Sequence, residues 1–304
     1  MLGIVIEEIV CTMKGGLPMK KFLATLLCAA LLLLPLGILS HAQDAPVKLL
    51  VLGDSIAAGS GVSDKKDAYA WLMAEARGYD MTNYGAGGDI SADLLRKVTA
   101  DEAIRQAVAG ADIIAVSIGG NDLLHAEDFT ALVINGLLGD YAMIEPVMET
   151  FRENFAGIIA EILILNPDAI LIVQTLYNPA FPLPSLRAAY GAAVKGINEG
   201  IAAYLEANPG AFLLADVYAA FEPRSGVVYI DMTHPSAAGH AVIAAVLLGV
   251  IDGTGPQLPP ANAALDLTVR LLGPFFTLLD WVLIGGVLRV LYPVLTPVLS
   301  LILN

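Results

Sequence analysis

Four short stretches of this chain carry residue types suited to acyl chemistry. Gly53-Asp54-Ser55 follows the apolar run Val47 to Leu52. A serine on the turn leaving a buried strand presents its hydroxyl at the sheet's edge, beside helix N-terminal N–H groups. The hydroxyl is a weak nucleophile until a base takes its proton. Taken alone, Asp-Ser at such a place is equally an ordinary turn and helix cap. Asp231-Met232-Thr233-His234-Pro235 supplies a base. A histidine three residues after an aspartate, on one tight loop, can bond that carboxylate through one ring nitrogen. The carboxylate then fixes the tautomer, and the other nitrogen is free to face Ser55. The same stretch also reads as a helix-entry turn capped by Thr233 or Ser236. Asn83 to Gly88 and Gly119-Gly120-Asn121-Asp122 complete the set. Acyl transfer needs donors aimed at the developing oxyanion. An asparagine amide serves, as does a glycine N–H that the backbone brings close. Gly and Asn are also what turns use, and Gly85 and Gly87 are read as turn residues only. His125 lies in an acidic loop and His240 inside a helical pattern, where packing is the expected role.

These residues need a frame to meet. Val47 to Leu52, Tyr79 to Asn83, Asp112 to Ile118, Ala169 to Gln174 and Ala211 to Val217 read as strands. Helical patterns cover 67–77, 90–108, 143–165, 185–207 and 236–250, the second opening at Asp89 or Ser91 as N-cap. Strands apolar on both faces that alternate with helices predict an α/β domain, a parallel sheet covered by helices. In such sheets the ligand site lies at the carboxyl ends of the strands. Ser55, the Asn83–Gly88 stretch and Gly119–Asp122 all fall there. His125 to Pro146 is longer than a minimal connection and is expected to line the site or cover it, and Tyr177 to Pro184 is expected to form another wall.

The chain has 304 residues, 57% of them hydrophobic, and a net charge of −14. Much of the excess hydrophobicity sits at the two ends. Met19-Lys20-Lys21, the apolar run Phe22 to Leu39 and Ser40-His41-Ala42 have the layout of a secretory signal peptide. Residues 1–42 are therefore read as an upstream extension and signal peptide, and the protein as exported. A permanent anchor is the competing reading, since the run is about long enough to span a bilayer. Both cysteines, Cys11 and Cys28, would leave with residues 1–42, and a Cys nucleophile with them. The acidic balance excludes nucleic acid as a partner and disfavours electrostatic attraction to anionic lipid. Residues 43–251 are read as the hydrolase domain and 252–262 as a Gly/Pro-rich linker. In 263–304, Asp266, Arg270, Thr277 and Asp280 cluster on one narrow arc at helical spacing. An amphipathic, membrane-associated helical segment is expected there.

Each motif is modest alone, but their order along the chain resembles that of the GDSL-type, or SGNH, hydrolases from Val47 to about Gly249. Gly53-Asp54-Ser55 stands at the nucleophile block, with Ile56 where the family's name has Leu. Asn83 to Asp89 matches the second block, and Gly88 falls at its oxyanion glycine. Gly119-Gly120-Asn121-Asp122 matches the G-x-N-D block, and Asp231-Met232-Thr233-His234 the D-x-x-H block. The resemblance implies a flavodoxin-like three-layer α/β/α fold. It also implies a Ser55–His234–Asp231 triad, an oxyanion hole from Ser55, Gly88 and Asn121, and ester hydrolysis without metal or cofactor. A carbohydrate O-deacetylase of the cell envelope, and a non-catalytic binding protein keeping the fold, stand as alternatives. The complete set Ser55, Gly88, Asn121, Asp231 and His234 speaks against the second.

Overall fold

Five short runs, apolar except for the edge run Asp80–Asn83, pair side by side, all parallel, in the order β2-β1-β3-β4-β5. The computed structural model describes residues 45–179, 183–222, 227 and 231–291, without the side chains of 263–266. The expected signal peptide, both cysteines and residues 292–304 lie outside the described residues. The strands are β1 (Lys48–Gly53), β2 (Asp80–Asn83), β3 (Ile113–Ser117), β4 (Ile170–Gln174) and β5 (Leu213–Ala215). Along the three central strands successive side chains enter opposite cores. Leu50, Leu52, Ile114, Val116, Leu171 and Val173 face one core. Helices α2 (Ser91–Ala100), α3 (Glu102–Ala109), α6 (Ile144–Leu165) and α7 (Pro184–Ala207) cover it. Leu49, Val51, Ile113, Ala115 and Ile172 face the other. Its cover is α1 (Tyr69–Arg77), α8 (Val217–Phe221) and α9 (Ala237–Ile251). A sheet buried on both faces needs continuous apolar strands rather than alternating ones, and that is what the three central strands show.

The strand order is that of the flavodoxin-like doubly wound folds, which place their ligand where the order reverses, between β1 and β3. Register makes this concrete. Gly53 pairs with Ser117, so the two strands end level. Ser55 and the Gly119–Asp122 turn leave the sheet as neighbours.

The structure departs from the expected elements in four places. The helix expected over 90–108 is two helices. Asp101 interrupts it, its carboxylate accepting the N–H groups of Ala103 and Ile104 as the N-cap of α3. Neither Asp89 nor Ser91 is the cap of α2, which starts after Ile90. The fifth strand stops at Ala215, because the Asp216 carboxylate accepts the Ala219 N–H and opens α8. The segment from His125 to Pro146, expected to line the site or cover it, contributes none of the residues that line the cavity. It holds α5 (Phe129–Leu137), which packs against α7. After α4 (Gly120–Leu124) and the linker, α10 (Ala263–Asp280) runs into a π-helical stretch, Trp281–Leu288.

Candidate active site

Gly53 ends β1 at φ +131, and a Cβ there would lie 1.8 Å from the Ser117 carbonyl oxygen. Only glycine lets the chain turn this close to β3. The Asp54 N–H then donates to that same oxygen at 3.0 Å. Ser55 follows in a run of turns. The Ser60 N–H bonds the Ser55 carbonyl at 2.8 Å and the Ala58 N–H bonds the Asp54 carbonyl at 3.0 Å.

The loop before α9 meets this serine from 179 residues away. His234 Nε2 lies 3.0 Å from Ser55 Oγ. His234 Nδ1 lies 2.6 Å from Asp231 Oδ2. A carboxylate beside Nδ1 draws the ring proton there and leaves the Nε2 lone pair toward the hydroxyl. The other Asp231 oxygen accepts the N–H groups of Thr233 and His234, each at 3.0 Å. Met232 takes the left-handed conformation, φ 71, to close this turn. Partial burial pushes the Asp231 carboxyl up. Bonds from the His234 ring and from the His234 and Thr233 N–H groups outweigh it and hold the group down at about 2. Asp231 is therefore a fixed anion across the neutral range.

Asn121 and Gly88 border the same cavity as Ser55 and His234. The Asn121 amide donates one hydrogen to the Asp89 carbonyl at 2.9 Å. An amide carries two, so this bond orients the group and leaves a second donor. Gly88 has φ +87, a conformation open to glycine. Gly85, read from sequence as a plain turn residue, has a tighter constraint. Its N–H donates to Asn83 Oδ1 at 2.8 Å, while Asn83 Nδ2 donates to the Ala57 carbonyl at 2.8 Å. A Cβ on Gly85 would lie 2.4 Å from the Ala58 nitrogen. This clamp seats the Asn83–Gly88 loop on the serine turn.

The cavity holds about 370 Å3. Its far walls are apolar: Leu123 and Leu124 from α4, Leu176 and Pro179, and Tyr190, Val194 and Ile197 from α7. Of the stretch Tyr177 to Pro184, expected to form a wall, Tyr177 and Pro179 line the cavity, while residues 180–182 lie outside the described residues. Among the described residues, no group of three or more His, Cys, Asp or Glu could hold a metal ion.

Residues 51–242 match the GDSL-like lipase/acylhydrolase family. The chain belongs to that family. The uncharacterized protein YpmR of Bacillus subtilis (strain 168) is 29% identical over 213 residues, 65% of this chain and 78% of YpmR. Two solved structures share the fold. The lipase Lip_vut3 from a goat rumen metagenome superposes with a TM-score of 0.57 at 24% identity, over 69% of this chain and 98% of that one. Phospholipase A1 from Streptomyces albidoflavus NA297 gives a TM-score of 0.54 at 19% identity, over 69% and 100%.

Three supporting groups stand in stretches that the sequence singled out, but their partners come from the fold. Asp54 is buried beside the serine. Burial pushes its carboxyl up to about 7, against the lowering effect of the Ile56 and Ala57 N–H groups and of His234. Asp122 is also buried, accepting the Ser91 N–H at 3.0 Å and the Ser91 hydroxyl. With Asn121 on the Asp89 carbonyl, it grips the 89–91 segment at two adjacent points. Tyr177 donates its hydroxyl to the Thr233 carbonyl and stacks on Phe221, ring centres 4.4 Å apart, which pins the loop that carries His234.

Proposed function

We propose that this family member is an exported serine esterase that cleaves carboxylic esters through Ser55, His234 and Asp231. The observation that carries the reading is the chain of contacts Asp231–His234–Ser55, at 2.6 and 3.0 Å. His234 Nε2 takes the Ser55 proton as Oγ attacks the carbonyl carbon. Asp231 orients the imidazole and stabilises the imidazolium. The N–H groups of Ser55 and Gly88 and the Asn121 amide hold the negative oxygen. Collapse breaks the ester C–O bond, and the leaving alcohol takes its proton from His234. Water then attacks the acyl-enzyme by the same route and frees Ser55. None of these steps calls on a metal or cofactor.

The apolar walls favour a fatty acyl chain over the acetyl group of a decorated sugar, since a long chain has surface to bury there and an acetyl group has little. The apolar tail, 263–304, supports association with the membrane that holds such esters. The signal-peptide layout of residues 1–42 supports export.

The test is hydrolysis of p-nitrophenyl acetate and longer-chain esters by the full chain beside Ser55→Ala. Turnover by the parent that rises with chain length, and its loss in the variant, is the expected result. Equal turnover by a folded Ser55→Ala protein would remove the serine mechanism.

A further inference from the structure

Helix α7, which lines the cavity, begins without a cap of its own. Its N-cap residue is Leu183, whose side chain has no acceptor, and Pro184 follows. The first N–H groups of a helix need acceptors from elsewhere. One acceptor arrives from 95 residues downstream. The Ser185 N–H donates to Asp280 Oδ1 at 3.1 Å, and the Ser185 hydroxyl donates to Asp280 Oδ2 at 2.7 Å. Asp280 ends α10, so the apolar tail supplies the missing cap, and with a negative charge that suits a helix N-terminus. Ser185 stands five residues before Tyr190 of the cavity wall, about 7.5 Å along the helix. Tail and cavity wall are thus joined by one carboxylate.

The orientation this imposes is unusual for a helix in water. Amphipathic helices turn their apolar side to their own domain. Here Asp280 bonds the domain, while Arg270 and Thr277 of the same polar arc stay exposed. Leu267, Leu271, Phe275, Leu278 and Trp281 stand exposed, Trp281 at 72%. At 100° per residue, Val269 and Trp281 bound an exposed apolar arc about 240° wide. A second copy pairing helix to helix would cover a stripe nearer 100°. A lipid phase covers the whole arc. The stretch Leu267–Leu291 is long and apolar enough to cross a bilayer, at mean hydropathy 1.9 with none of it buried. Crossing, however, would put Asp280 beside the midplane, where a carboxylate is costly, and would part it from Ser185. A helix lying in the interface keeps the bonds and immerses only the apolar arc. The chain's net charge of −14 offers anionic lipid no attraction.

We propose that α10 is an in-plane docking helix for a neutral or zwitterionic lipid surface, and that the Asp280–Ser185 latch holds the cavity at that surface. The docking stands on these contacts alone; its effect on rate rests on the ester-hydrolase reading.

The experiment uses the full chain with phosphatidylcholine vesicles. Trp71→Phe leaves Trp281 as the one tryptophan. Lipids brominated near the headgroup should quench its fluorescence more than lipids brominated near the chain ends. The reverse order would show a crossing helix and overturn the proposal. Absence of vesicle binding would overturn it too, and a dimer in sedimentation would then assign the face to a second copy. The pair Phe275→Asp and Leu278→Asp should weaken vesicle binding about ten-fold or more while sparing hydrolysis of a water-soluble ester. Asp280→Ala should keep vesicle binding, yet lower the ratio of vesicle-borne to soluble ester hydrolysis about three- to ten-fold. Ser185→Ala, which leaves the tail's own chemistry intact, should move that ratio the same way. A ratio unchanged in Ser185→Ala would overturn the latch. If the parent hydrolyses neither ester, the esterase reading fails. Quenching depth still decides the docking, and a Trp281 depth unmoved by Ser185→Ala then overturns the latch.

Discussion

His234 and His240 stand six residues apart, one on the loop entering α9 and one in its first turns, yet they sit in opposite environments. The His234 side chain is 31% exposed and lies between a carboxylate and a hydroxyl. His240 is fully buried and lies between two main-chain groups. Its Nδ1 accepts the Tyr69 N–H at 3.3 Å, and its Nε2 donates to the Ser60 carbonyl at 2.9 Å. Both rings thereby have a fixed tautomer. Of the two, only His234 has a carboxylate bonded to its ring to stabilise it when it takes a proton, and only His234 touches a hydroxyl that can give one. Partners, rather than the imidazole itself, separate a base from a structural bracket.

The largest effect should follow from removing each ring in turn. His234→Ala is expected to lower turnover about ten-thousand-fold or more with an unchanged melting temperature. His240→Phe should do the opposite in kind, lowering stability while the folded fraction keeps its turnover. Steady-state kinetics and thermal melts on both variants test this directly. Comparable rate losses in the two would erase the distinction.

Asn121 sharpens the comparison, because it shares a feature of each histidine. Its amide is tied to a main-chain carbonyl as His240 is, yet it borders the cavity as His234 does. Asn121→Ala should cost on the order of 100-fold or more in turnover if its second hydrogen serves the oxyanion. A loss confined to stability would place it with His240.

His240→Phe strands the buried Tyr69 N–H and removes the partner of the Ser60 carbonyl. It should destabilise the fold by about 2–4 kcal/mol, measured by urea denaturation, with turnover of the folded fraction kept.

The smallest effect is on the pH dependence of stability. Burial holds the His240 imidazole below its ordinary 6.5. The unfolded ring takes a proton as pH falls through 6.5 while the folded one resists, so His240 makes stability fall with acidification from there downward. Asp54 acts with the opposite sign. Raised from 3.8 to about 7, it holds a proton in the folded state that the unfolded chain has lost, so its contribution falls as pH rises between those values. His240→Phe should therefore tilt the stability profile between pH 4 and 6.5 toward acid, and Asp54→Asn should tilt it toward neutral pH. Denaturation midpoints at several pH values will show whether the two variants move apart.

Much of this was legible in one sequence, for local reasons. Buried parallel strands must be apolar throughout, so runs such as Ile113–Ser117 announce themselves. The aspartate–histidine pair at 231 and 234 needs only a tight turn to meet. The motifs of Ser55, Asn121 and His234 stand in the family's order, and the family follows from that order. What the residues could not say one by one is which distant groups share a dry space. The strand order β2-β1-β3-β4-β5 brings the ends of β1 and β3 level, and so places Ser55 beside Asn121. Packing of α9 on α1 turns one histidine inward while the loop before it carries the other to the serine. Asp54 and Asp122 stand in the motif blocks, but their burial, and the Ser91 partner of Asp122, come only from the fold. The tail's amphipathic arc was visible from spacing, but its orientation was not. Asp280 reaches across 95 residues to cap a helix that lacks its own cap, and only the folded chain brings the two together.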